Sequence, residues 1–542
     1  MFIASVISAC AKSSPPDGSD DLGTSSGSGS GSGSSSGAVS SSGSGSGSSS
    51  GTTGSSSGTT GSSSGTTGSS SGSVVDATVG DDSGDASREG GSVGGDDGGS
   101  VPDGGSCPPN QSSITSYAEA AAPLLSPLDP SHSDVIFGDA GSTPPAGWNF
   151  YAIDGAICRD GSPMGIYVRY ASMTKLMIYL EGGGLCFSSH FCDHNPANMQ
   201  QQFSADPQTM GQTVGGSLSN LASPPILQKP WTTGIFDFNN AKNPVNGWSQ
   251  VYVPYCTGDA HFGTIDNGSV TDYANGQGSP GTSSINPGFH FVGFNNMQKI
   301  AGHLAATFTG LEQMILTGAS AGGLGAVFNA TMVEETFGGK VPATVILDSA
   351  AGFPDVKYMS ACLQQNVRST FGWDAALPAD CADCRQPDGS GLINIVKYLH
   401  NRYPQDRLGL MMSIHDQIFR LFFGAGMGSD PSQPQDCDSN DPNILSGLGL
   451  GAINPTNLRY PAALWEEGLG TLRTTYDCTG VFSSYFIGTA DPSDSPDPVS
   501  NPIDTLHMHS FRDRYYDNLA GGISPAQWTA DLLANKIEDI GP

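Results

Sequence analysis

The segment Gly318-Ala319-Ser320-Ala321-Gly322-Gly323 directly follows the apolar run Met314-Ile315-Leu316-Thr317 and directly precedes an apolar stretch with helical spacing. A serine flanked by residues with little or no side chain lets a strand turn sharply into a helix and lifts the hydroxyl above the sheet. The alternative is a tight glycine turn around an ordinary serine, which explains the glycines but not the strand and helix patterns on either side. Ser320 is therefore the candidate nucleophile.

The surrounding pattern predicts an α/β fold. Short apolar runs at residues 176–180, 250–255, 314–317, 344–347, 408–414 and 485–488 read as buried strands. Candidate helices lie at residues 297–308, 323–336 and 392–400. Such alternation is that of a mostly parallel sheet with helices on both faces. Residues 354–387 and 423–457, dense in Pro, Gly, Asp and Cys, read as loop or cap insertions.

The first hundred residues are different in kind. Residues 25–72 are Ser, Gly and Thr almost throughout, with a Gly-Thr-Thr-Gly-Ser-Ser-Ser unit repeated and no apolar face to bury. An acidic Gly-rich stretch follows, so residues 11–106 read as a disordered linker and residues 107–542 as the folded domain. Residues 1–10, a short apolar run ending in small residues and Cys10, resemble the tail of a lipoprotein signal but lack a basic start. Two readings stand: a lipid anchor through Cys10, or a secretory signal with an incidental cysteine. Either implies a secreted or cell-surface chain.

Apart from Cys10, the cysteines are Cys107, Cys158, Cys186, Cys192, Cys256, Cys362, Cys381, Cys384, Cys437 and Cys478. An even set suits disulfides in an oxidising compartment. Cys186 and Cys192 are close enough to bridge; the other pairs are not deducible from spacing. Cys381-Ala-Asp-Cys384 reads as a disulfide rather than zinc or redox chemistry, because no second such pair accompanies it. A formal net charge of -30 excludes a generic nucleic-acid surface, which needs clustered cations. Eleven of the 51 acids precede Cys107, so the folded part is acidic in its own right.

Acyl transfer at Ser320 would need oxyanion donors, a base and an orienting acid. Glu181-Gly182-Gly183-Gly184 ends the run at 176–180, and its glycines let backbone N–H groups face a developing oxyanion. Gly183 and Gly184, with the N–H of Ala321, are the candidate donors; a simple strand-ending turn is the alternative. Downstream of Ser320, Asp416 follows the run at 408–414, and His507 and His509 follow the run at 485–488. Asp416 and His509 are the preferred acid and base. His507 rivals His509, and Asp491 and Asp504 rival Asp416. His190, Cys192 and His194 alternate, but a cysteine bridge fits better than a metal cluster. His261, ahead of the nucleophile, ranks below the later histidines as a base.

Several of these motifs together resemble the pectinacetylesterase/Notum family: Leu180-Glu181-Gly182-Gly183 followed by Cys186-Phe187 and Cys192-Asp193, then Pro254-Tyr255-Cys256, the Ser320 segment, and Leu347-Asp348-Ser349. The resemblance implies an α/β-hydrolase fold, no metal or other cofactor, and hydrolysis of O-acyl esters by Ser320, Asp416 and His509. It implies that Asp348 is structural. The favoured partner is an O-acetylated polysaccharide, with a longer acyl or lipidated hydroxyl, a peptide bond, or a non-catalytic binding role as alternatives, and the chain is expected to be a monomer. Two departures bear on detail. Gly184 stands where the family often has an aromatic, and Leu506 where it usually has a cysteine near the histidine.

Overall fold

The computed structural model describes residues 121–128, 147–188, 191–192, 233–271, 284–424, 460–477, 479–488, 507–511 and 514–542. These lie in one compact unit, Asp97–Pro542. The signal-like segment with Cys10, the whole of the linker, Cys107, His190, His194, Cys437, Cys478, Asp491, Asp504 and most of the 423–457 insertion fall outside the described residues.

Eight strands form the main sheet: β1 (Trp148–Ile157), β2 (Pro163–Arg169), β3 (Lys175–Leu180), β4 (Ser249–Val253), β7 (Gln313–Ala319), β8 (Ala343–Asp348), β9 (Arg407–Ser413) and β10 (Phe482–Ile487), in the order β1-β2-β4-β3-β7-β8-β9-β10. The β1–β2 and β2–β4 pairs are antiparallel, and the pairs from β4 to β10 are parallel. An antiparallel edge on a parallel centre, with the elbow serine after a central strand, is the α/β-hydrolase arrangement. A separate hairpin pairs β5 (Ile265–Thr271) with β6 (Ser284–Phe291).

The six strands expected from apolar runs all form, shifted by a few residues. Strands β4, β8 and β10 are buried along their whole length, as strands covered on both faces must be. The helices α1 (Gly293–Thr307), α2 (Ala321–Thr336), α3 (Ala361–Phe371), α4 (Ile395–Arg402), α5 (Gln417–Gly424), α6 (Ala462–Asp477) and α7 (Pro525–Leu533) complete the layers. Helix α2, which begins at the elbow, is buried on nearly every side, so its sequence is small and apolar around its whole circumference instead of along one stripe. At Gly322 an added Cβ would lie 2.0 Å from the Leu180 carbonyl oxygen, so only glycine lets α2 seat against the end of β3.

Two apolar clusters sandwich the sheet. One gathers Ile178, Leu316, Val327, Trp373 and Trp465; the other gathers Tyr179, Phe236, Tyr485, Tyr515 and Trp528. Disulfides join Cys158 to Cys256, Cys186 to Cys192 and Cys381 to Cys384, and Cys362 is also bridged. The first of these ties the start of the fold to the loop after β4. The described residues contain no helix long and apolar enough to cross a membrane.

Candidate active site

The loops that leave the C-terminal ends of the parallel strands carry the site. Seven non-glycine residues among those described have a left-handed backbone. Five of them sit in these loops: Ala260 and His261 after β4, Ser320 after β7, Ser349 after β8, and Met508. Such conformations persist only where the surroundings enforce them, and they gather at working sites.

Ser320 has φ 57° and ψ -124°, the strained turn expected of a nucleophile elbow. Its N–H donates to the Asp348 carbonyl at 2.8 Å, and its own carbonyl accepts from Gly323 N and Leu324 N, so the turn is fixed on both sides. The side chain opens into a pocket that it shares with Gly184, Leu185 and Ala321.

The glycine loop that leaves β3, Glu181-Gly182-Gly183-Gly184, lies against this elbow. A Cβ on Gly182 would fall 2.1 Å from the Ala319 carbonyl oxygen and 3.0 Å from the Ser320 Cβ, so glycine is what permits the approach. Gly184 adopts φ 75°. Among the described residues, the N–H groups of Gly183, Gly184 and Ala321 make no hydrogen bond. That is the condition of donors kept for a ligand.

Asp416 is fully buried just after β9, and its carboxylate faces two ways. Oδ1 accepts from Phe419 N at 2.9 Å, capping the N-terminus of α5. Oδ2 meets Nδ1 of His507 at 2.7 Å. Against a carboxylate acceptor, Nδ1 must carry the proton, which leaves the Nε2 lone pair as the basic position. The His507 ring also packs against Phe419, with centroids 5.9 Å apart. The ring that meets Asp416 is thus that of His507, the rival to the preferred His509. His509 is instead held by its main chain, its N–H donating to Asp348 Oδ1 at 2.9 Å.

Asp348 organises this histidine loop. Its buried carboxylate accepts from Ser349 Oγ, His509 N, Ser510 N and Ser510 Oγ at 2.6–3.0 Å, while Ser349 Oγ accepts from Met508 N at 2.7 Å. One residue thus fastens the elbow through its carbonyl and the histidine loop through its carboxylate. Ser510→Ala, which removes one donor to a buried charge, is expected to lower unfolding stability by about 1.5–3 kcal/mol, measurable by denaturant titration.

The pocket contains about 700 Å³ of unfilled space, its mouth and the solvent there included, and its walls are almost wholly apolar, with Phe187, Phe328, Trp373, Phe419, Phe422 and Phe423 among them. Phe187 stacks on Phe191 at 4.3 Å inside the loop closed by Cys186–Cys192. Burial pushes Glu181, at the start of the glycine loop, up to about 7, and holds His261 down to about 4, so His261 is neutral near pH 7. No cluster of three or more His, Cys, Asp or Glu among the described residues is arranged to hold a metal. Residue-level reading of the sequence missed the aromatic walls, whose members are scattered over more than two hundred positions. It also missed the parts played by Tyr255 and His261, visible beforehand only as a Pro-Tyr-Cys motif and an isolated histidine.

Residues 149–388 match the pectinacetylesterase family model. Among curated proteins, palmitoleoyl-protein carboxylesterase notum1a of Danio rerio is 27% identical over 184 residues, which is 33% of this chain and 29% of that protein. Palmitoleoyl-protein carboxylesterase NOTUM of Homo sapiens is 26% identical over 180 residues, 33% of this chain and 30% of that one. Notum2 of Xenopus laevis is 27% identical over 244 residues, 41% and 42% of the two chains. The chain thus spans less than half the length of each of these relatives. A crystal structure of the Wnt deacylase Notum from Drosophila aligns over 73% of this chain and 96% of its own, with 17% identity and a TM-score of 0.44.

Proposed function

Because residues 149–388 match the pectinacetylesterase family model and the chain is similar to Notum carboxylesterases, we propose that it belongs to that family and is a secreted or cell-surface serine carboxylesterase that removes acyl groups from hydroxyls. The observation that carries this reading is the convergence on one apolar pocket of the strained Ser320 turn and a loop of unengaged N–H groups, with an Asp416–His507 dyad supplied by the same strand ends. His507 Nε2 takes the Ser320 Oγ proton as Oγ attacks the ester carbonyl. The N–H of Ala321, with those of Gly183 and Gly184, holds the tetrahedral oxyanion. Collapse expels the alcohol, which receives the proton from His507, and water then releases the acyl group by the same route. Asp416 keeps the imidazole in the productive tautomer. The disulfides support an oxidising compartment.

The pocket walls favour a longer apolar acyl chain over acetyl. An acetyl methyl would leave most of the apolar surface around Ser320 unused, whereas each buried methylene contributes about 0.8 kcal/mol. The net charge of -30 also opposes encounter with a polyanionic polysaccharide such as pectin. Across p-nitrophenyl esters, kcat/KM is expected to rise about ten- to a hundredfold from acetate to octanoate, the gain of burying roughly two to three of the added methylenes, with Phe187→Ala altering the chain-length optimum. Highest activity on acetate would refute the long-chain reading and keep the esterase. An alkyl fluorophosphonate should label one serine per chain, recovered on the peptide containing Ser320. Neither turnover nor labelling in folded protein would leave a binding role as the surviving reading.

A further inference from the structure

Resting on the esterase reading, we propose that Tyr255 is a positioning residue that clasps the oxyanion loop at both ends and sets the aim of its N–H groups.

Tyr255 follows β4, beside the loop that leaves β3. Its main-chain N–H donates to Glu181 Oε2 at 2.9 Å, at the start of the loop. Its hydroxyl donates to the Gly184 carbonyl at 2.8 Å, at the loop's end. That hydroxyl is itself oriented, because it accepts from Ala260 N at 2.8 Å. A third tie comes from His261, whose Nε2 lies 2.8 Å from the Glu181 carbonyl and whose ring packs on Tyr255 with centroids 4.7 Å apart. Since a carbonyl can only accept, Nε2 carries the proton of this neutral imidazole.

The consequence follows from the planarity of the peptide. In a trans peptide the C=O and N–H point in opposite directions. Drawing the Glu181 carbonyl onto His261 turns the Gly182 N–H the other way, and drawing the Gly184 carbonyl onto Tyr255 does the same for Leu185 N–H. With both outer planes pinned, the glycines between them, which have the widest backbone freedom of any residue, cannot rotate their N–H groups out of line. The brace is rigid in turn. Ala260 and His261 hold consecutive left-handed conformations, and Asp259 fixes their loop by accepting from Thr257 Oγ1 and Gly293 N at 2.6 and 2.8 Å. Cys256, the next residue, is disulfide-bonded to Cys158. Tyr255 is not among the residues lining the pocket, so its effect on the reaction runs through the loop.

A misaimed oxyanion donor weakens the transition state and leaves ground-state binding in the apolar pocket alone. Tyr255→Phe, which deletes only the hydroxyl, is expected to lower kcat about ten- to a hundredfold with KM within about twofold of the parent. An alkyl boronic acid, which forms a tetrahedral adduct on the serine, should lose affinity by the same factor, while a fatty alcohol that fills only the pocket should bind as before. Unchanged kcat in folded Tyr255→Phe overturns the proposal. So does a fall in kcat with boronate affinity unchanged. Should Tyr255→Phe fail to fold, Glu181→Gln tests the other end of the clasp, and the same parallel between kcat and boronate affinity must appear. The parent enzyme's own turnover and boronate binding are measured first; if both are absent, it is the esterase reading that fails.

Discussion

Ser320→Ala and His507→Gln are each expected to reduce kcat/KM on a p-nitrophenyl ester by about ten-thousandfold or more, and the double variant to be no slower than the worse single one. The two residues act as a unit: without the base, Oγ stays protonated, and without Oγ the base has nothing to activate. Asp416→Asn should cost about as much as His507→Gln, because an amide opposite Nδ1 favours the tautomer whose Nε2 carries the proton. His509→Gln is the decisive contrast. Its main-chain N–H donates to Asp348, a bond the substitution keeps, so the variant should keep activity within about tenfold of the parent provided it folds. Steady-state kinetics on the four single variants, with circular dichroism to establish folding, decides the matter. A collapse of activity in His509→Gln alongside near-normal His507→Gln would overturn the assignment.

That contrast also marks where reading the chain stops. The β7–Ser320–α2 unit was legible because a central parallel strand must be apolar throughout and a sharp strand-to-helix turn admits only small neighbours. Strands β1 and β2 escaped notice because an antiparallel edge with one face near solvent mixes polar and apolar residues, as Trp148–Ile157 does with exposed Ala152, Asp154 and Gly155. Strands β5 and β6, carrying Asp266, Asn267, Gly268 and a proline, offered no strand pattern either. His507 and His509 sit two positions apart with the same neighbours. Only the long-range contact to Asp416, 91 residues upstream, separates them. Tyr255 was hidden for a related reason: its two hydrogen-bonding groups act on a loop more than seventy residues away. Chemistry that depends on residue type and local turn geometry is written in the sequence, whereas chemistry that depends on which of two similar side chains meets a partner is decided by the tertiary fold.

Thermal stability is expected to rise as pH is lowered from 8 to 6, the reverse of what paired surface carboxylates would give. Several carboxyls are buried without a cation to compensate. Desolvation pushes Glu181 up to about 7 and Asp259 up to about 6. Glu334, buried on α2, has no hydrogen-bond partner among the described residues and lies close to Asp406, which accepts from Ala343 N at 3.0 Å. Burial, Asp406 and the neighbouring Glu335 all raise Glu334, and burial raises Asp406 despite Arg407 beside it. The sign follows directly. A carboxyl whose folded value lies above its unfolded value binds its proton more tightly when folded, so its contribution is complete below the unfolded value near 4.4 and is lost as pH rises through about 6 to 7. His261 opposes this, since a group held down to about 4 loses stability as pH falls below its ordinary value near 6.5. The carboxyls outnumber it and take up protons at higher pH, so the melting temperature should climb by about 5 °C between pH 8 and 6 and go on rising, against the opposing His261, toward the unfolded value. Glu334→Gln, which replaces the buried ionisable carboxyl by a neutral amide, should raise stability at pH 8 and flatten the dependence. A melting temperature that falls steadily from pH 8 to 6 would show that these carboxyls are solvated, and that the interior behind α2 is wetter than its packing implies.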